Sequence, residues 1–288
     1  MARPRASQHP LTACGALLAA MCAAACGTPP AASAYSASWP NEPEGMTVLA
    51  DWGFDQPPPA TGDVEIPGSP GWSVVYGTPH EPAFGTVRLA DDPSAPFSPT
   101  HVYDVEYPAG MVEGTAPTTV YFPRTIGGVR GRARRLLSVD RDGLGWEVYV
   151  GLWWKPSSPF DLGPNGNKIA FLFNGGGAAG GQQFLILLPD GRLHVLPEYP
   201  GDFRWRHPNA AATTVTLGAW HRIEWYANAR TGALKWWLDG TLQGNHTDVT
   251  NAYAFDVFKL SPTWGGNTGA RKRETDHYWF DHIRLSVR

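Results

Sequence analysis

WHRIEWYANARTGALKWWLDG, Trp220 to Gly240, alternates with a period of two on either side of a turn. His221, Ile223 and Trp225 alternate with Arg222, Glu224 and Tyr226; Leu234, Trp236 and Leu238 then alternate with Lys235, Trp237 and Asp239. Successive side chains of a strand point to opposite sides, so the stretch predicts an antiparallel hairpin with one apolar face. The same period runs outward from it. In WEVYVGLWWK, Trp146, Val148, Val150, Leu152 and Trp154 share an apolar face, while Glu147, Tyr149, Gly151, Trp153 and Lys155 share a mixed one. NKIAFLF and QQFLILLPDGRLHVLP follow, the second turning at Pro189-Asp190-Gly191, where proline presets φ and glycine tolerates positive φ. VFKLSPTWGG and HYWFDHIRLSVR close the chain, with Ile283, Leu285 and Val287 as an inward row. The earlier half is less regular. MTVLADWGF, GWSVVYG, TVRLA and HVYDVEYPAG stand out as strands, and residues 55–135 are rich in proline and glycine.

The 288 residues include 12 Phe, 10 Tyr and 13 Trp, enough for a large core. A single all-β domain of roughly 200–250 residues is ordinary, so length does not demand two domains. With 33 Gly, 27 Pro and no long stretch of apolar residues at 3-4 spacing, the chain favours strands and turns over helices. The fold class predicted is all-β, an antiparallel two-sheet sandwich. A net charge of -3 gives no general basic field, which argues against nucleic acid as partner.

Residues 1–26 read as an export signal: Arg3 and Arg5 precede the apolar run Leu11 to Cys26, which is short for a membrane span. Cys14, Cys22 and Cys26 all lie in that run, so the exported part has no internal disulfide. Two processing readings stand. AAAC, Ala23 to Cys26, resembles a bacterial lipobox with Ala23 in place of the usual Leu, which would lipidate Cys26 and attach the protein to a membrane; ASA, Ala32 to Ala34, resembles an ordinary cleavage site before Tyr35. Residues 27–45, GTPPAASAYSASWPNEPEG, read as a tether and residues 46–288 as the folded domain. Either way the domain is expected outside the cytoplasm.

The hairpin Trp220 to Gly240 resembles the W-x-x-I-x-W…G-x-L-x-x-W-x-D/N-G hairpin of concanavalin A-like jelly rolls, including laminin-G-type domains and heparinase I-like polysaccharide lyases. FKLSPTWGG followed by HYWFDHIRLS is similar to the end of those lyase-like domains, and the likeness covers roughly residues 146–288. It implies a jelly roll with a concave sheet that serves as a groove for an extended polysaccharide.

Sugar rings have apolar faces and hydroxyl rims, so such a groove needs exposed aromatics beside hydrogen-bonding groups. Tyr149 and Trp153, on the mixed face with Glu147 and Lys155, fit that requirement unless they pack under loops. Trp264, at the end of a strand resembling a groove strand, is the better candidate; Lys168, Asn174 and Lys259 complete the set on the strands that the resemblance places in the groove. Tyr226 and Trp237 belong to a hairpin that resembles the opposite sheet. In EYPGDFRWRHPN, Arg204, Trp205 and Arg206 put a stacking plate between two guanidinium forks, which suits an acidic glycan; a solvated loop with Trp205 folded inward is the alternative. ARKRETDH, Ala270 to His277, is a second basic patch, ordinarily a solvated turn.

Catalysis is less well marked. The lyases that the chain resembles carry a Gln-x-His and a catalytic Tyr where this sequence has Ala170, Phe171, Leu172 and Thr263. A divergent lyase would have to recruit Lys168, Lys259, Tyr199 and His207. The paired carboxylates of a glycosidase and the HExxH and GxSxG motifs are missing. No cofactor is required; a structural calcium is implied by the resemblance, with Asp281 and Asp55 as ligands. Gly175, Gly177 and Gly180 in FNGGGAAGGQQF match the dinucleotide spacing, but the following QQFLILL is a strand where that motif needs a helix, so a nucleotide is not expected. The run is instead a hairpin tip at one end of the groove, suited to act as a flap. Asn245-His246-Thr247 matches a glycosylation acceptor and reads as an ordinary turn. The function expected is an exported, lipid-anchored polysaccharide-binding protein. The alternatives are a divergent lyase of uronate-containing glycans and a surface protein that self-associates through its aromatics.

Overall fold

The computed structural model describes residues 39–60, 64–67, 69, 71–75, 86–97, 99–122, 145–175, 180–209 and 211–288. Among these there is no helix, and fifteen strands form two antiparallel sheets. The strands are β1 (Thr47–Trp52), β2 (Val64–Glu65), β3 (Ser73–Val75), β4 (Val87–Asp91), β5 (His101–Tyr107), β6 (Thr119–Phe122), β7 (Glu147–Pro156) and β8 (Asn167–Asn174). They continue as β9 (Gln182–Leu187), β10 (Leu193–Glu198), β11 (His221–Asn228), β12 (Leu234–Leu238), β13 (Thr241–His246), β14 (Phe255–Trp264) and β15 (Asp276–Val287). The eight-stranded sheet runs β13-β12-β11-β7-β15-β5-β4, with β1 also paired to β15; the seven-stranded sheet runs β10-β9-β8-β14-β6-β3-β2.

The hairpin predicted at Trp220 to Gly240 is β11–β12. Asn228 closes its turn, with its side-chain oxygen accepting the Arg230 and Thr231 N–H groups and Gly232 at φ 76°. The inward row of this hairpin, Ile223, Trp225, Leu234, Trp236 and Leu238, meets Val148, Val150, Leu152 and Trp154 of β7 in the main core. From the facing sheet come Ile169, Ala170 and Leu172 of β8, Leu185 and Leu187 of β9, and Phe258 and Leu260 of β14. The Trp236 indole N–H donates to Leu193 O at 3.1 Å, a hydrogen bond between the two sheets.

The mixed face of β7 is not open. Trp39 lies against it beside the buried Tyr149 and Trp153, with Met46, Phe97, Trp220 and Tyr226 around them. Gly151 makes this possible, since a Cβ there would come within 2.4 Å of the Trp39 ring. Next to it, the fully buried Glu224 carboxylate accepts from the Asn41 backbone N–H at 2.9 Å, the Asn41 side-chain amide at 3.0 Å, the Tyr149 hydroxyl at 2.7 Å and Arg222 Nε at 3.0 Å. Glu42 in turn accepts from Arg284 and Ser286. Residues 39–45, grouped with the tether by composition, are thus a strap on the eight-stranded sheet. Residues 1–38, including Cys26, and the 176–179 tip of the glycine run lie outside the described residues.

On the other sheet one buried carboxylate shapes a whole loop. Glu113 accepts hydrogen bonds from the Asn165 amide, Gly266 N, Thr268 N at 2.7 Å, Thr268 Oγ1 at 2.6 Å and Ala270 N at 3.2 Å. Gly265, at φ 68°, passes so close that a Cβ there would lie 2.5 Å from Glu113 Cγ. Burial pushes the Glu113 carboxyl up, but the donors from Thr268, Asn165, Gly266 and Ala270 outweigh it and bring it from 4.5 down to about 2.

Gly151→Ala is expected to lift Trp39 off the sheet at a cost of about 1–3 kcal/mol, as overpacking does. A thermal melt would show the loss and limited proteolysis would show cutting near residue 40; an unchanged melt would refute the packing of the strap. For Glu113, the folded pKa lies below the unfolded one, so its stabilisation is present above pH 4.5 and lost as pH falls toward about 2. Glu113→Gln should be less stable at neutral pH and less sensitive to acid across that window, as read from denaturation midpoints against pH.

Candidate functional site

The outward face of the seven-stranded sheet carries a continuous row across five strands. Leu196 of β10 pairs with Phe184 of β9, Phe184 with Phe171 of β8, Phe171 with Lys259 of β14, and Lys259 with Tyr121 of β6. Phe171, Phe184, Ile186 and Leu196 form a second apolar cluster, with Phe173 and Leu188 beside it. Above this face opens a cleft of about 550 Å³, bounded by Pro164 and Asn165 on one side, Gly266 and Asn267 on another, and Trp205. The Glu113 carboxylate, through Asn165 and Gly266, therefore sets two of its walls.

Lys168 reaches this cleft because of a β-bulge. Strict alternation from Phe171 would send Lys168 into the sandwich, but the register of β8 against β9 shifts between Lys168 and Ala170, so Ile169 and Ala170 both face the core. The Lys168 ammonium donates to Gly265 O at 2.9 Å and lies 5.5 Å from the centre of the Phe184 ring. Burial holds it below the ordinary lysine range, while Glu198 and Glu113 pull the other way. The Lys259 ammonium lies 5.2 Å from the Tyr121 ring centre and 6.0 Å from that of Phe171.

Trp205 is 38% exposed and meets Phe184 edge-on, with ring centres 6.3 Å apart. Its loop is anchored by Arg206, which is 4% exposed and donates to Asp202 Oδ2 at 2.8 Å, Asp248 Oδ1 at 3.2 Å and Arg204 O at 2.8 Å. Burial would raise the Asp202 carboxyl, yet Arg204 and Arg206 hold it at about 2. Arg206 thus positions the plate and does not face a ligand. Arg204, on the surface, pairs with the same two carboxylates.

Several candidates from the sequence take other places. Tyr149 and Trp153 sit under the strap on the opposite sheet, because alternation tells which residues share a face and not which face is covered. Trp264 is buried, its indole N–H donating to Asp161 O at 2.6 Å. Asn174 is buried and donates to Tyr253 O, closing the end of β8. Tyr199 lies in the sandwich core, where its hydroxyl accepts from Gln183. His207 is exposed near His194, whose ring centre is 5.4 Å away. Of the lyase set, the two lysines rise from the strands of the cleft-bearing face, His207 lies at its edge beside His194, and Tyr199 turns into the core. Asp281 falls in the bulge of β15 and accepts from Phe97 N at 3.0 Å; burial, aided by Asp55 and Asp92, pushes its carboxyl up to about 7. Among the described residues, no third His, Cys, Asp or Glu joins Asp281 and Asp55 around a common point.

Tyr121, Phe171, Phe173, Phe184, Ile186, Leu196 and Glu113 carry no motif. The available signal was that NKIAFLF and QQFLILL are apolar on both faces, which marks a sheet with apolar side chains outside as well as inside. The glycine run joins antiparallel β8 and β9 with no helix after it, which removes the dinucleotide reading.

No protein-family model matches the chain, and no curated protein matches it by sequence. Solved structures do resemble it. Cellulose induced protein Cip1 superposes with a TM-score of 0.50 at 15% identity, over 74% of this chain and 90% of that one. The alginate lyase Aly36B gives 0.46 at 14%, over 69% and 82%. Domain 4 of AbnA, a GH43 extracellular arabinanase from Geobacillus stearothermophilus, in complex with arabinotriose, gives 0.46 at 14%, over 84% and 92%. At 15% identity the likeness to Cip1 bears on architecture alone: the two sheets form a jelly-roll sandwich.

Proposed function

We propose that this is an exported polysaccharide-binding protein that takes its ligand in the cleft on the seven-stranded sheet. The observation that carries the reading is the outward aromatic row with Trp205 standing beside it at 38% exposure. An exposed indole over a buried aromatic floor, beside amide, carboxylate and ammonium groups, is a combination that suits a sugar chain. Trp205 offers a flat surface on the wall, the buried Phe184 lies in the floor beneath it, and Asn165, Asn267, Glu198 and Lys168 surround them with donors and acceptors. Export rests on the character of residues 1–26, and attachment to a membrane on Cys26 as the lipidated residue. Mass spectrometry of the mature N-terminus tests this part: a diacyl or triacyl Cys26 supports the anchor, and a chain starting at Tyr35 overturns it.

Binding is tested by titrating a panel of polysaccharides into the protein. Trp205→Ala should weaken the bound glycan by about tenfold or more, as truncating an aromatic anchor does. Trp153→Ala should lower the melting temperature and leave affinity in place. Failure of every glycan to bind, or full affinity in Trp205→Ala, would refute the reading.

One observation favours a second reading, a lyase. Lys168 is a half-buried amine lining the cleft, held below its usual range by burial, and such a group can accept a proton from carbon next to a carboxylate. Ultraviolet absorbance from unsaturated uronate products, abolished in Lys168→Met, would establish this activity; uronate glycans that bind and stay intact would exclude it.

A further inference from the structure

The cleft does not end at its prolines. Pro164 and Pro189 border it, and the same two residues border a second cleft of about 480 Å³ that continues past Leu162 and Gly163 to Arg271 and Arg273. The prolines therefore form a saddle between two adjoining depressions. One wall of the second cleft is the segment between β7 and β8, and the other is the basic patch that precedes β15, which by sequence reads as a solvated turn. Its base is firm. Lys272, fully buried, pairs with Asp276 and donates to Asp161 O at 3.0 Å, and its ammonium lies 4.7 Å from the Phe160 ring centre.

Charge in the second cleft is unbalanced toward the positive. Arg273 holds Asp161 through Nε at 3.2 Å and Nη2 at 3.3 Å, and Asp276 is taken up by Lys272. Asp161 and Asp276 are thus matched, and Glu274, the third carboxylate of the patch, lies outside the lining and acts on Lys272 and Arg273. Arg271 remains: it is exposed, and its Nη1 donates to Gly110 O at 3.0 Å while the rest of the guanidinium fork faces solvent at the rim. A guanidinium fork with donors to spare at the rim of a depression suits a planar or tetrahedral oxyanion.

Resting on the polysaccharide reading of the first cleft, we propose that the second cleft is a further subsite of the same groove, where Arg271 receives an anionic group of the sugar chain, a carboxylate or a sulfate. The chain crosses the Pro164–Pro189 saddle, with a ring face on Trp205 and its charged unit beyond. The ligand is then an acidic polysaccharide, and affinity grows with chain length.

Calorimetric titration with size-fractionated oligosaccharides tests this, using one ladder of a uronate glycan, one of a sulfated neutral-backbone glycan and one of an unsubstituted neutral glycan. Long acidic oligomers should bind about tenfold tighter than short ones, and Arg271→Ala should remove that gain while leaving short oligomers unaffected. Arg271→Lys should keep part of it, since the charge stays and the fork is lost. Loss confined to the uronate ladder assigns a carboxylate, and loss confined to the sulfated ladder assigns a sulfate. Arg271 is exposed, so a thermal melt matching wild type should accompany both variants. Short oligomers that bind with no gain on lengthening, or a gain that survives Arg271→Ala, overturn the subsite and leave the first cleft standing. Equal gain on the neutral ladder overturns the anionic assignment. No binding by any oligomer overturns the first cleft and the subsite together.

Discussion

Everything in this protein is arranged around one apolar layer between two sheets. Each strand must turn one row of side chains into that layer, and the row is aromatic-rich: Trp72, Trp154, Trp225, Trp236, Tyr107 and Phe258 are all buried there. Because strand side chains alternate, fixing the inward row fixes the outward one. The outward rows are then the surfaces with which the protein can do anything else.

The two sheets dispose of their outward rows in different ways. On the eight-stranded sheet, the strap from Trp39 to Met46 covers Tyr149 and Trp153, and Asn41 completes the hydrogen bonds of a carboxylate that would be costly to bury alone. On the seven-stranded sheet Phe171, Phe184 and Leu196 are also buried, but under one another, Trp205 and the Lys168 side chain rather than under a strap, and loops raise walls around a cleft beside them. The exposed Trp205 at the edge of that cleft is the feature on which the proposed binding role rests.

Two buried carboxylates serve as local organisers, Glu224 on β11 of the eight-stranded sheet and Glu113 in the connection between β5 and β6. Glu224 gathers Asn41, Tyr149 and Arg222 and so joins the strap to the sheet. Glu113 gathers five donors from Asn165 and residues 266–270 and holds two walls of the cleft, while Gly265 in the same loop presents its carbonyl to Lys168. Each satisfies several otherwise unpaired backbone or side-chain groups at once, so a single substitution there disturbs an entire loop.

Alternation in residues 146–155, 220–240 and 276–288 was legible without coordinates, because the period of two is a local property of the strand. It determined the all-β class, the β11–β12 hairpin and the inward rows of β7 and β15, and the strand after the glycine run was enough to discard a phosphate loop. What alternation does not contain is the identity of the partner on the far side. Tyr149 and Trp153 satisfy the pattern of a groove equally well whether or not Trp39 lies over them, and that depends on a segment more than a hundred residues away. Lys168 satisfies the pattern of a core position until a bulge of one residue turns it outward. The sequence by itself therefore determined the strands and their apolar faces, since these follow from neighbours along the chain. Tertiary structure alone decided which outward face is covered, which one opens as a cleft and which cations reach it, since these follow from long-range packing and from register.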